Sequence, residues 1–181
     1  MRRAVLALIL IAMSAGAAAA EDTTEARVRS QIEGRYEAMA KAFAARDTAA
    51  VLALRTPDFC IHYPGGERDS ADGARRVLAY FFSNNLPPID VHYTVRSLVT
   101  PSADVAVVDV FQQGTRYQML NGKKRQVSHE VTQRETWRRL DGVWLLAAID
   151  DIRDRRRWVD GVAVDPSKPF DPTAKPFRAL R

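Results

Sequence analysis

Apolar and polar residues follow two different periods along this chain, and the change between them divides it. From residue 28 to 43 the apolar positions Val28, Ile32, Tyr36, Met39 and Phe43 recur every three or four residues, the buried stripe of one amphipathic helix. Asp22-Thr23-Thr24-Glu25 reads as its start, with Glu25 three residues after a capping Asp22. Arg46-Asp47 breaks the stripe, and Asp47 is placed to cap a short second helix carrying Val51, Leu52 and Leu54, which Pro57 stops. Residues 59–63 read as a short strand, and Pro64-Gly65-Gly66 as a turn. A third helix is predicted over 70–84, with Val77, Leu78, Phe81 and Phe82 on its apolar side and Leu86-Pro87-Pro88 ending it.

Beyond the prolines the period falls to two. Val91, Tyr93 and Val95 alternate with His92, Thr94 and Arg96, the pattern of a half-buried strand. A strand over 105–118 follows. Asn121-Gly122 and Asp141-Gly142 then supply the positive φ angles of two type I′ hairpin turns. Counted outward from the second turn, Trp137 faces Leu146, Thr136 faces Ala147 and Arg134 faces Ile149. Counted from the first, Asp109 faces Arg134, or Glu135 if one β-bulge intervenes. Strands this long must curl as they twist. Helices gather early and antiparallel strands late, the α+β layout of helices packed on one face of a curved sheet.

Composition divides the chain further. Its 181 residues suffice for one domain with a sizeable core. Arg2 and Arg3 precede an apolar run over 4–13 and an Ala18-x-Ala20 site, the pattern of a secretory signal too short to span a membrane. The expected division is a signal peptide over 1–20, a domain over 21–152, and a basic, proline-containing tail over 153–181. A periplasmic or secreted destination follows, with no stable membrane insertion after processing. The basic excess concentrates in Arg153, Arg155, Arg156 and Arg157 and in the tail, where a solvated basic segment, not a nucleic-acid footprint, is expected of an exported chain. The single cysteine, Cys60, excludes an intrachain disulfide and reads as a small buried hydrophobe. No spacing points to a metal or a cofactor.

Several of these features occur together in one known group. Ala45-Arg46-Asp47, Leu54, Pro57-Asp58-Phe59, Pro64-Gly65-Gly66 and the Trp137-x-x-x-Asp-Gly-x-Trp144 hairpin resemble the nuclear-transport-factor-two-like superfamily, and within it the SnoaL-like domains. The resemblance implies a cone-shaped α+β barrel, its curved antiparallel sheet packed on three helices around a pocket open at one end. That superfamily holds ketosteroid isomerase, polyketide cyclases, dehydratases and epoxide hydrolases. It also holds non-catalytic pockets and the association domain of calcium/calmodulin-dependent kinase, so membership implies fold far better than function.

Asp109 is the first candidate for chemistry, a lone carboxylate in the apolar run 105–111. The face with Val105, Val107, Asp109 and Phe111 is expected to line the cone, with Arg134 and Thr136 beside it. In ketosteroid isomerase the catalytic aspartate precedes the corresponding proline. Here that position is Tyr63, a hydrogen-bond donor and not a base, and His62 is the nearer proton carrier. Adjacent strand residues point oppositely, so one of these two lines the pocket. The candidate catalytic set is therefore Asp109, Arg134, His62 and Tyr63, and the candidate pocket wall Tyr36, Phe59, Phe111 and Thr136. The expected partner is a small hydrophobic molecule carrying a polar group, bound or transformed by acid–base chemistry as in a lyase, isomerase or hydrolase. A homodimer is expected through the uncovered sheet face, which should carry Trp137 or its neighbours.

Overall fold

The computed structural model describes residues 3–178, with side chains from residue 24 onward. Helix α1 spans Arg3–Ala45. The expected cap at Asp22 and cleavage site after Ala20 lie outside the described side chains. Further along, the apolar stripe is the buried one, with Val28, Ile32, Tyr36 and Met39 in the core. Arg46 takes φ 58° and breaks the helix. Asp47 then caps α2 (Thr48–Ala53), its Oδ1 accepting from Ala50 N at 2.9 Å. Helix α3 (Ala71–Asn84) starts at a Ser70 cap and buries Ala74, Leu78 and Phe82. Val77, expected inside, is exposed, because the row 74–78–82 faces the core. Among the described residues no helix is long and apolar enough to cross a membrane.

The strands are β1 (Arg55–His62), β2 (Arg68–Asp69), β3 (Leu86–Ser102), β4 (Val105–Leu120), β5 (Lys123–Leu140), β6 (Val143–Val159) and β7 (Val162–Val164). They form one seven-stranded sheet in the order β2-β1-β6-β5-β4-β3, with β7 added to β6. The sheet is α+β in class as expected, but unclosed, and β1 runs parallel to β6. Asn121-Gly122 and Asp141-Gly142 have both residues at positive φ, as type I′ turns require.

Asp109 stands opposite Arg134, and Trp137 opposite Leu146, as counted. Register shifts in the β5–β6 pair move Thr136 to Ala148 and Arg134 to Asp151. The last long strand does not end at Ile152. It continues to Val159, and Asp160-Gly161 turns it into β7, so Arg153–Arg157 belong to the sheet and not to the tail.

One face of the sheet carries the core, including Val91, Leu98, Ala106, Val108, Val110, Trp137 and Leu146 packed against α1 and α3. Even-numbered β4 positions therefore face inward, which reverses the expected assignment. Both β4 faces are apolar, but the charge at Asp109 belongs on the side nearer water. Trp137 is fully buried, so the outer face does not carry it.

Candidate functional site

Alternation along β5 puts Glu135 on the inner face two residues from Trp137, and only 2% of it is accessible. Two neutral donors hold one carboxyl oxygen. Tyr36 Oη, from α1, donates to Oε2 at 2.6 Å, and Trp137 Nε1 donates to it at 3.1 Å. Among the described residues Oε1 accepts no hydrogen bond. Burial raises the carboxyl pKa to about 7, against the pull of the two donors and of the Arg55 charge. This carboxyl changes its proton near neutrality.

Arg55 enters from β1. Its Nε and Nη1 are buried without a partner, and its guanidinium lies 4.4 Å from the centre of the Phe59 ring. Desolvation lowers its pKa, partly offset by Tyr93 and Glu135. Tyr93, from β3, stacks on Tyr36 at 4.8 Å between ring centres. Its hydroxyl forms no hydrogen bond among the described residues, and burial raises its pKa well above the usual tyrosine value. A groove of about 380 Å³ between α1 and β3 reaches both tyrosines and is edged by Glu37 and Ala40. A buried acid, a largely buried cation and a phenol thus lie close enough behind an aromatic wall to act on one another's charge, and together they can exchange a proton and hold a polar group.

Tyr36 and Phe59 are the two expected wall residues that face this interior. Phe111 and Thr136 are on the outer face with the expected Asp109, Arg134 and His62. Thr136 Oγ1 donates to Asp150 Oδ2 at 2.6 Å, and His62 Nδ1 lies 3.2 Å from Asp150 Oδ1. Arg96 covers the Phe111 ring at 4.5 Å. Tyr63 packs at the core edge, and its hydroxyl donates to Asp69 at 2.9 Å. Burial and that bond push its pKa up to about 12. Cys60 is buried and free. Among the described residues no cluster of metal-ligating side chains occurs.

The Asp109 pair exists, but outside. Arg153 Nη2 donates to Asp109 at 2.9 Å, and Arg134 Nε lies 3.4 Å away. Burial raises the Asp109 pKa, but the Arg153 hydrogen bond and the charges of Arg153 and Arg134 outweigh it, leaving the carboxyl below its usual value. Side-chain exposures of 25% for Asp109 and 50% for Arg134 make this a surface network. Asp109→Ala should cost at most ~1 kcal/mol in urea unfolding. A loss several times larger would place the pair in the core after all.

Glu135 and Arg55 were not singled out from the sequence. Trp137 could have located Glu135, since residues two apart on a strand share a face. Arg55 gives no such signal, standing between an expected helix and an expected strand.

The sequence pattern of the SnoaL-like domain matches residues 36–147, which include Tyr36, Arg55, Tyr93, Glu135 and Trp137. The chain belongs to the SnoaL-like domain family. This SnoaL-like domain is similar to a ketosteroid isomerase-like protein from Erwinia carotovora atroseptica SCRI1043, with 26% identity and a TM-score of 0.53 over 66% of this chain and 90% of that one. A type 2 hexachlorocyclohexane dehydrochlorinase superposes with a TM-score of 0.61 and 14% identity, over 84% of this chain and 99% of the other. A conserved protein from Planctomyces limnophilus DSM 3776 gives 0.58 at 16% identity, over 70% and 97%. At those two identities the likeness concerns the fold alone. A search of the curated proteins gives no match to this SnoaL-like domain.

Proposed function

We propose that this SnoaL-like domain is exported and binds a small hydrophobic molecule whose polar group meets Glu135, Tyr93 and Arg55. Unused hydrogen-bonding capacity at a buried point carries this reading. Among the described residues Glu135 Oε1 and the Tyr93 hydroxyl form no hydrogen bond, and Arg55 Nε and Nη1 are buried without a partner; such groups are costly in the helix-covered interior unless something else satisfies them. Export rests on the n-region, apolar run and Ala18-x-Ala20 site.

One observation favours catalysis as a second reading. A carboxyl that titrates at about 7 can take a proton from a substrate and return it, as an isomerase or a lyase requires. Two of the structural relatives are named as an isomerase-like protein and a dehydrochlorinase.

Native mass spectrometry of the periplasmic fraction tests the binding reading. The expected species begins at Glu21 and carries a small organic molecule. Glu135→Gln and Arg55→Met should each lower its occupancy about ten-fold, the effect of losing one buried polar contact. A full-length chain in the membrane fraction counts against export, and occupancy indifferent to both substitutions counts against the site.

A further inference from the structure

Near the Asn121-Gly122 turn the same inner face carries a second polar group, this one built around cations. Gly114, His129 and Arg157 form one row across β4, β5 and β6, and Arg116, Val127 and Val159 form the next. Val127 and Val159 are buried, which fixes the side. Arg116 Nε donates to Asn85 Oδ1 at 2.7 Å, and its guanidinium lies 5.5 Å from the centre of the Phe81 ring on α3. Its Nη1 lies 2.8 Å from His129 Nδ1. A guanidinium only donates, so Nδ1 accepts and the imidazole is neutral. Burial and the Arg116 charge lower the His129 pKa to about 4, in agreement. Gly114 makes room for this ring, since a Cβ there would stand 2.8 Å from His129 Cε1 and 2.6 Å from Asp90 O.

Every partner of Arg116 is therefore uncharged. Among the described residues no carboxylate reaches salt-bridge distance of Arg116 or Arg157. Arg157 Nη2 donates to Lys168 O at 3.2 Å, and its Nε is buried without a partner. Asp165 acts on Arg157 only at longer range and is itself held by Ser167 and Lys168. Burial lowers the Arg116 pKa to about 10, with the like charge of Arg157 adding to it. On the outer face, by contrast, Arg134 and Arg153 share Asp109. Two part-desolvated cations that act on each other's charge without a counter-ion among the described residues are a standing cost, and an incoming anion removes it.

We propose that Arg116 and Arg157 receive the carboxylate of a small organic acid, at a site separate from the Glu135 end of the interior. Arg157 Nε is a buried donor without a partner, and among the described residues Arg116 bonds through Nε and Nη1 only, so the pair keeps the two donors that a carboxylate's two oxygens use. Glu135 lies six residues along β5 from His129, roughly 20 Å at strand rise. The acid end and the proton-exchanging end of the interior are therefore separate, and each can be tested alone.

Calorimetric titration of the purified full chain with 2-naphthoate, its neutral isostere 2-naphthamide and inorganic phosphate decides the matter. The carboxylate should bind at least about ten-fold more tightly than the amide. Arg116→Met should bring the ratio near one, Arg116→Lys should retain part of it, and urea unfolding of each variant shows that it is folded. Arg134→Met, on the outer face, should leave the ratio unchanged. Equal affinities for acid and amide, undetectable naphthoate binding, a preference that survives Arg116→Met in a folded protein, or phosphate binding as tight as naphthoate would each overturn the proposal.

Discussion

Between pH 4.5 and 6.5 the stability of the wild-type fold should be nearly flat, while two single substitutions tilt it in opposite directions. The carboxyl of Glu135 rises from 4.5 in the open chain to about 7 when folded. The folded state holds that proton more tightly, so its contribution is complete below 4.5 and is lost as pH rises towards 7. His129 does the reverse, falling from 6.5 to about 4. Its contribution is complete above 6.5 and is lost as pH falls towards 4. Within the shared window each group differs by about one proton between folded and unfolded chains, with opposite sign, and the slopes cancel. Glu135→Gln leaves His129 uncompensated, and stability should climb by roughly 3 kcal/mol across the window. His129→Asn, whose Oδ1 can replace Nδ1 as acceptor for Arg116, should give a fall of similar size. Urea midpoints at stepped pH read both slopes. The aspartates with lowered pKa values act beneath this range. A steep wild-type slope would mean that one of the two groups is not held as described.

Trp137→Ala should be the most damaging substitution in the core, at about 3–5 kcal/mol. The indole is fully buried, meets Tyr36 edge-on at 5.2 Å between centres, and donates to Glu135. Trp137→Phe keeps most of the ring but loses the donor, and should cost only about 1–2 kcal/mol. It should also raise the Glu135 pKa beyond 7, since that hydrogen bond favours the charged form. Urea unfolding gives the first effect, and the upper end of the pH window gives the second. If the phenylalanine variant were as unstable as the alanine one, the hydrogen bond, not the packing, would dominate at this position.

Sequence periodicity revealed the elements better than the faces they present. The α1 stripe, the Asp47 cap and two type I′ turns could all be read because each depends on residues within a few positions of one another. Asp160-Gly161 was an equally legible third turn, hidden by the arginine run before it. Which face of β4 lay inside was harder, since Val105, Val107 and Phe111 are as apolar as Ala106, Val108 and Val110. Asp109 was the available mark, and it marked the outside. The register shifts at Arg134/Glu135 and Thr136/Trp137 leave no local signature. Glu135, Arg55, Tyr36 and Tyr93 come from four elements, and only the folded sheet gathers them in one interior.

The parallel contact of β1 with β6 bears on the order in which the chain can assemble. Ile61 pairs with Ile149, and Cys60 with Ala148. As the chain is made from its N-terminus, β1 has only the two-residue β2 to pair with until nearly the whole meander exists. Strands β3 to β6 are joined successively by short turns and can pair as they appear, but closing β1 onto them requires a long loop and is slow. Arg55, and with it the buried cation beside Glu135, is therefore delivered last. A chain cut short before β6 would keep three paired strands but could not complete the interior.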